Sequence, residues 1–350
     1  RSTNVTCGHG SHVAGLIANE HNNSSFGGHG IAYDATLHII KVLDDEGSGS
    51  FADIATGMDL ARGVSGMDIV NLSLGNSGII GSSCNSASSC ETHLGATIYT
   101  AMEALGAANI ITVYAAGNSG NSSPSSLAGA AIYDDDFKET TVIAVAIDST
   151  GKLASYSDKC GVAKAICLAA PGSNLYSFLS TNAQSQYAVG SYAQAMSGTS
   201  QAAPLVSGGL ALIKEEFSSL TNAQVVDRLL ATALDTNEYS QSSIYGHGLM
   251  NLSAATAAVA DLELIDGGNL LDSLGTSYYN LADNTFSSSA AFSNALSSAL
   301  NGQMMEVYDS FDRANFKVNV EDFFTSGSYT SQNTVENHMA RLQPKTEEKI

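Results

Sequence analysis

Basic side chains are scarce in this sequence. It contains 14 Lys and Arg residues against 34 Asp and Glu residues, which leaves a formal net charge of −20 at pH 7. A surface of this sign repels nucleic acids and anionic membranes and favours solubility. The composition therefore predicts no nucleic-acid partner, although charge alone identifies no ligand.

Long apolar runs are lacking as well. No stretch approaches the roughly 20 apolar residues that a membrane-spanning helix requires, so we expect no membrane segment in this chain. Hydrophobic residues nevertheless make up 44% of the 350 residues. That content predicts one large buried core with a smaller appendage.

Cysteines number only five, of which four form two closely spaced pairs: Cys84 with Cys90, and Cys160 with Cys167. Short loop-closing disulfides fit both pairs and would indicate an oxidising compartment. Zinc is disfavoured, because neither pair has a two-residue spacer and His93 is the one histidine nearby. Cys7 is left over, either free or paired with a cysteine upstream of the first residue.

Apolar segments rich in β-branched residues alternate with segments of helical period. We predict five buried strands: Leu37–Leu43, Asp68–Leu74, Asn109–Ala115, Thr141–Ile147 and Ala165–Ala170. We predict four long helices: Phe51–Val64, Glu91–Ala107, Ser200–Phe217 and Asn222–Leu234. This alternation predicts a three-layer α/β fold, in which helices flank both faces of a mainly parallel sheet. Functional residues of such folds gather at the carboxyl ends of the strands.

Composition changes near residue 260. The chain is rich in Ser, Asn, Ala and Leu over Gly267–Asn301 and polar from Asn319 onward. We therefore predict a main domain at 1–256 and a C-terminal tail or linker at 257–350, partly helical around Ala290–Leu300.

The motif GTSQAAP, which begins at Gly198, opens a long apolar helical segment. A serine at the start of a helix lies where backbone N–H groups and the positive end of the helix dipole point, which suits a nucleophile. The same position also suits an ordinary serine cap. We expect Pro204 to fall in the first turn, where it has no helical hydrogen bond to lose.

The motif GHGSHVAG, which begins at Gly8, supplies the base that a serine nucleophile needs at neutral pH. We predict His9 as that base and His12 as a packed, hydrogen-bonded core histidine. Metal binding by the two is disfavoured, because the sequence offers neither an adjacent glutamate nor an obvious third ligand. A third element, Asn118 after an apolar strand, could donate to an oxyanion or simply form a turn.

Four segments together resemble the signature segments of the subtilisin-like serine proteases, in matching order and spacing: HGSHVAG from His9, NLSLG from Asn71, AAGN from Ala115 and GTSQAAP from Gly198. The resemblance covers roughly residues 7–256. It implies His9 as general base and acid, Ser200 as nucleophile, and Asn118 as side-chain oxyanion donor beside the Ser200 N–H.

The resemblance also implies a strand that pairs with an extended substrate, at Ser73, Leu74 and Gly75. It further implies a primary pocket lined by Ala115, Ala116 and Gly117. We therefore expect a secreted endopeptidase that cuts protein or peptide substrates with broad specificity and prefers aromatic or large aliphatic side chains. No cofactor is required. Calcium is common in the family, but the sequence contains no acidic cluster that can be assigned to it.

The chain departs from the family at two points. Gln201 replaces the methionine that commonly follows the serine, and peroxide resistance is the expected result. Only eight residues precede His9 and none is acidic, so the family's catalytic aspartate has no counterpart here. We expect that aspartate and its core strand to lie upstream of Arg1, and the 350-residue chain to be nearly inactive without them.

Two further readings concern the tail and the missing aspartate. The segments Ser289–Asn301 and Tyr308–Phe316 resemble the segment that follows the protease part of bacterial autotransporter subtilases, which would place the protein at the cell surface. A catalytically inactive subtilase fold that serves as a binding module is the main alternative to an enzyme. An α/β-hydrolase is disfavoured, because Ala202 interrupts Gly-x-Ser-x-Gly and the histidine precedes the serine.

Overall fold

The computed structural model describes residues 8–20, 29–44, 46–178, 193–260, 262–264, 279–280 and 302–319. The chain divides into two compact units, which are Arg1–Glu216 with Thr221–Leu252, and Phe217–Leu220 with Ser253–Ile350.

The helices are α1 His9–Ala18, α2 Phe51–Arg62, α3 Ala87–Leu94, α4 Ala96–Ala107, α5 Ser126–Gly129, α6 Asp135–Lys138, α7 Thr199–Glu216, α8 Asn222–Ala231, α9 Ser242–Tyr245 and α10 Leu252–Ala255. The strands of the first unit are β1 Ile69–Leu72, β2 Ile111–Ala115, β3 Thr141–Ile147, β4 Cys167–Pro171, β5 Leu175–Phe178 and β6 Ala193–Met196. Among the described residues, 3-10 segments lie at Ala130–Tyr133, Gly161–Ile166 and Asn237–Ser240.

A four-stranded parallel sheet forms the centre of the first unit, in the order β1-β2-β3-β4. Every residue of β2 and β3 is buried, as expected for strands whose two faces are both covered by helices. Tyr114 and Ile143 are cross-strand partners whose side chains belong to the core shared with α2 and α4. Helix α7 packs against all four strands. The predicted α/β fold, a parallel sheet flanked by helices, is therefore confirmed.

One predicted strand, Leu37–Leu43, is wrong: no strand is present over these residues. Ile40 and Val42 pack against Gly57 of α2, whereas Ile39 is 74% exposed. The segment is apolar enough for a strand, but none of the residues that the structure describes pairs with it through a ladder. A strand requires such a neighbour for its backbone hydrogen bonds.

The predicted helix Glu91–Ala107 is two helices, α3 and α4. They meet at Gly95, whose φ of +96° lies in the region that glycine tolerates and other residues avoid. The remaining strand and helix predictions agree with the structure within a few residues at their ends.

Both predicted disulfides are present, Cys84–Cys90 and Cys160–Cys167. Cys7 lies outside the described residues.

The second unit contains an antiparallel sheet that the sequence did not predict: β7 Leu262–Leu264, β8 Tyr279–Asn280, β9 Met304–Asp309 and β10 Asn315–Asn319, in the order β10-β9-β7-β8. The Asp309 carboxylate is buried and accepts hydrogen bonds from the backbone N–H groups of Val259, Ala260 and Phe311. The predicted helix around Ala290–Leu300 lies outside the described residues. No helix in the described ranges is long and apolar enough to cross a bilayer.

Candidate active site

Ser200 is the second residue of α7, and its hydroxyl lies at the carboxyl edge of the sheet beside Ser73, which follows β1. The Ser200 Oγ lies 3.4 Å from the Ser73 carbonyl oxygen, at the outer limit of a hydrogen bond. In return, the Ser73 hydroxyl donates to the Ser200 carbonyl oxygen at 2.8 Å. The start of the helix and the segment after β1 are therefore joined at the candidate nucleophile.

Pro204 explains why the Ser200 carbonyl is available. It lies inside α7 and not in the first turn, so the expected position is wrong. A residue at this position would normally donate its N–H to the carbonyl four residues earlier, which is that of Ser200, but proline has no N–H to donate. The hydroxyl of Ser73 takes the place of the missing helical donor.

Ser73 is held in turn by side chains from β1 and α7. The Asn71 Nδ2 donates to the Ser73 Oγ at 3.0 Å. The Ser207 hydroxyl donates to the Asn71 Oδ1 at 3.0 Å. This chain of three hydrogen bonds orients the Ser73 hydroxyl, because its oxygen accepts one bond and its proton is left for Ser200.

Asn118 follows the carboxyl end of β2 and lies at the start of α7. Its Oδ1 accepts hydrogen bonds from the Thr199 N–H at 2.8 Å and from the Thr199 hydroxyl at 3.0 Å. The Asn118 amide therefore satisfies one of the N–H groups that a helix leaves unpaired in its first turn. With both bonds on its oxygen, the exposed side chain presents its Nδ2 as a donor.

His9 is the first residue of α1, which packs against α7 and β5. Both candidate catalytic side chains thus lie in the first turns of two helices that contact each other. Burial lowers the pKa of His9, and the neighbouring charge of His12 lowers it further. The imidazole is therefore neutral at neutral pH, the form that can accept a proton.

His12 is fully buried, and its Nε2 lies 2.9 Å from the Leu175 carbonyl oxygen and 3.0 Å from that of Gln194. These contacts with β5 and β6 agree with the prediction of a packed, hydrogen-bonded histidine. Burial lowers its pKa, against the opposing effect of the two carbonyl contacts. Within the described ranges, no three His, Cys, Asp or Glu side chains are grouped so that they could hold a metal ion.

The residues predicted to contact substrate lie at or just after the carboxyl ends of two neighbouring parallel strands, so both sets lie at the same edge of the sheet. Ala115 and Ala116 are buried, and Gly75 is exposed. Ser125 lies between the two sets: its N–H donates to the Ala116 carbonyl at 2.8 Å, and its Oγ lies 3.2 Å from where a Cβ on Gly75 would be. Sequence reasoning missed Ser125, because it is one residue of the serine-rich segment NSSPSSL and belongs to no motif.

Most of the chain is similar in sequence to known proteins. The chain is 36% identical to subtilisin DY of Bacillus licheniformis over 250 residues, which cover 71% of this chain and 77% of that protein. It is 34% identical to subtilisin Savinase of Lederbergia lenta over 255 residues, which cover 73% and 80% of the two. The match to subtilisin NAT of Bacillus subtilis subsp. natto, at 36% identity, covers 71% of this chain and only 55% of the relative.

Solved structures show the same fold at lower identity. The patellamide maturation protease PatA has a TM-score of 0.57 at 24% identity, with 71% of this chain and 82% of that chain covered. The prenylagaramide maturation protease PagA has the same TM-score at 23% identity, with 71% and 81% covered. The pattern of the subtilase family matches residues 2–248, well over half of the sequence. The chain therefore belongs to the subtilase family of serine endopeptidases.

Proposed function

We propose that this protein hydrolyses peptide bonds by acyl transfer, with Ser200 as nucleophile, His9 as general base and acid, and Asn118 as oxyanion donor. The supporting observation is the pair of hydrogen bonds from Thr199 to the Asn118 Oδ1. They hold an amide donor directly beside the residue that carries the nucleophile, which is the arrangement that an oxyanion hole requires.

The proposed reaction has two stages, acylation of the serine and hydrolysis of the acyl-enzyme. The Ser200 Oγ attacks the peptide carbonyl carbon while His9 takes its proton, and the Asn118 Nδ2 and the Ser200 N–H bind the developing oxyanion. His9 then protonates the leaving amine as the peptide bond breaks. Water, deprotonated by His9, attacks the acyl-enzyme and releases the acid product together with the free serine.

We further propose that the third member of the triad is an aspartate on a strand encoded upstream of Arg1. β1 is an edge strand with β2 as its neighbour among the described residues. The free side of an edge strand offers backbone groups with which a further strand can pair. The pKa of His9 is lowered by burial and by His12, with no carboxylate among the causes.

Substrate binding is proposed at the segment Ser73, Leu74 and Gly75, by addition of the peptide as a further strand. Such pairing uses backbone groups and is indifferent to sequence, so broad specificity is expected. The pocket beside Ala115, Ala116 and Gly117 is proposed to take an aromatic or large aliphatic side chain.

The two disulfides support secretion, because disulfides form and persist in oxidising compartments.

Ser200→Ala tests the proposal in the protein that includes the upstream segment. We expect casein hydrolysis to fall by about 10⁶-fold, the figure known for the nucleophile of subtilisin. Thr56→Ala is the matched control, because its hydroxyl donates to a backbone carbonyl on the exposed side of α2. Normal casein hydrolysis by the Ser200→Ala protein would show that the nucleophile is wrong. Peptide binding without hydrolysis by the parent would favour the inactive binding module.

A further inference from the structure

Asp158 is a buried carboxylate that the mechanism does not use. The residue is only 2% exposed, and none of the cations that the structure describes forms an ion pair with it. Its Oδ1 accepts hydrogen bonds from the N–H of Asn121 at 2.7 Å and of Ser119 at 3.1 Å. Its Oδ2 accepts a third from the Asn121 side-chain amide at 3.2 Å. Burial of a carboxylate is costly unless such donors compensate for lost water.

All three donors belong to the loop that carries Asn118. The backbone of Asp158 binds the same loop, because its N–H donates to the Gly117 carbonyl at 2.9 Å. Gly117 adopts a φ of +128° and packs so closely on the Oδ2 that a Cβ at this position would clash with it. The residues on either side of Asn118 are thus both fixed by Asp158.

We propose that Asp158 is a positioning residue that holds Asn118 in the geometry of an oxyanion donor. The inference rests on the proposed function and adds a residue to it. Asp158 acts through hydrogen bonds and not through its charge, since a negative charge near the hole would oppose an oxyanion. A displacement of about 1 Å at a catalytic group can cost about 10²-fold in rate, so a loop held loosely should lower kcat and leave KM nearly unchanged.

Two substitutions separate geometry from charge. Asp158→Ala removes all three acceptor contacts, and we expect kcat for a peptide p-nitroanilide to fall by about 10- to 100-fold, with KM within about 3-fold. Asp158→Asn keeps one oxygen for the two backbone N–H groups, and the Asn121 amide can rotate to pair with the new NH₂. We expect its kcat to stay within about 3-fold of the parent.

A double-mutant cycle with Asn118→Ala shows whether Asp158 acts through Asn118. We expect Asp158→Ala to lower kcat by less than about 3-fold in that background, because the donor that it positions is already gone. Asp134→Ala is the matched control. Asp134 also accepts hydrogen bonds, from the Asp136 N–H at 3.0 Å and the Tyr99 hydroxyl at 2.8 Å, but neither donor belongs to the loop that carries Asn118. Its kcat should equal that of the parent.

The variants are made in the protein that includes the upstream segment. The values of kcat and KM are measured with the p-nitroanilide. Inhibition by a peptide aldehyde is measured as well, because the oxygen of its hemiacetal with the serine occupies the oxyanion hole. Asp158→Ala should weaken aldehyde inhibition by the same factor by which it lowers kcat.

An equal loss of kcat in the parent and Asn118→Ala backgrounds would overturn the inference. An Asp158→Asn protein as slow as Asp158→Ala would overturn it as well. Should the alanine variant not fold, Asn121→Ala replaces it, with an expected loss of about 3-fold that disappears without Asn118.

Failure of the proposed function gives a different result. In that case Ser200→Ala retains hydrolysis, whatever the Asp158 variants do. Loss of activity in Ser200→Ala together with an unchanged kcat in Asp158→Ala would leave the proposed function standing and overturn the positioning role alone.

Discussion

The oxyanion side and the histidine side of the candidate site differ in how completely this chain supports them. Asn118 is held by two hydrogen bonds from Thr199 and lies on a loop that Asp158 binds through three more. His9 has no hydrogen-bond partner for its ring among the residues that the structure describes, and the pKa of its imidazole is lowered by burial and by His12.

The difference indicates that separate parts of a chain can supply the oxyanion side and the histidine side of one candidate site. The oxyanion side is built from loops that follow neighbouring strands, together with the start of α7, all within residues 68–200. On the histidine side, the proposed mechanism calls for a further acceptor that orients the imidazole of His9.

The largest effect should come from the proposed upstream segment. Residues 1–350 alone should hydrolyse peptides about 10⁴-fold more slowly than the protein with an upstream Asp-Ser/Thr-Gly strand, because the loss of the aspartate in subtilisin costs about 3 × 10⁴ in kcat. Replacement of that aspartate by asparagine in the longer protein is the control, and it should reproduce most of the loss. Equal kcat for the short and long proteins would contradict the contrast, because it would mean that His9 needs no further partner.

Asn118→Ala should lower kcat by about 10²- to 10³-fold, the loss known for the corresponding donor in subtilisin. Asn118→Asp sharpens the test, because a carboxylate still accepts from Thr199 but cannot donate to an oxyanion. We expect both variants to be slow, and the aspartate variant to unfold at nearly the parental temperature. Near-parental kcat in either variant would remove Asn118 from the mechanism.

Ser73→Ala should destabilise the first unit by about 1 kcal/mol and lower kcat a few-fold, because the Ser200 carbonyl then loses its donor. Thermal unfolding and steady-state kinetics measure the two effects. Ser240→Ala is the matched control, since the Ser240 hydroxyl also donates to a backbone carbonyl, that of Asn237 at 2.7 Å, but in an exposed turn. Equal effects of the two substitutions would argue against a special role for Ser73.

The smallest effect is a shift in the titration of His9. Its pKa is lowered from the ordinary value of 6.5 by burial and by the charge of His12. Because the neutral form is the base, the imidazole should remain competent below pH 6.5, and an upstream carboxylate should raise its pKa and move that limit to higher pH. NMR titration of residues 1–350 and of the longer protein, with His9→Ala to assign the resonance, measures the shift. A lower pKa in the longer protein would exclude a carboxylate partner.

Much of the fold could be predicted from the pattern of apolar residues, wherever that pattern reflects which residues of an element are buried. β3 was predicted at Thr141–Ile147 and is found there, because a fully buried parallel strand is a continuous apolar run bounded by polar residues. The segment 37–43 has the same kind of composition but forms no strand. A strand depends on its neighbour as well as on its own residues, and no composition reveals whether that neighbour is present.

The site was predictable where motifs mark it and not elsewhere. His9, Asn118 and Ser200 each stand in a motif, whereas Asp158 and Ser125 are single polar residues in ordinary loops. The contacts of Asp158 and Ser125 join segments that are distant in sequence. The periodicity of apolar residues along the chain does not reveal such contacts. The strands β9 and β10 were missed because charged residues interrupt their apolar sequence: β9 contains Glu306 and Asp309, and β10 contains Lys317.

Pro204, in the second turn of α7, affects the contact of this helix with the segment that follows β1 as well as the hydrogen bonding within the helix. A carbonyl that is paired within its own helix makes no direct hydrogen bond to the segments beneath that helix. The Ser200 carbonyl does make such a link, because it accepts a hydrogen bond from the Ser73 hydroxyl on the segment that follows β1. If the proposed binding of a peptide moves that segment, this hydrogen bond transmits the movement to the backbone of the candidate nucleophile.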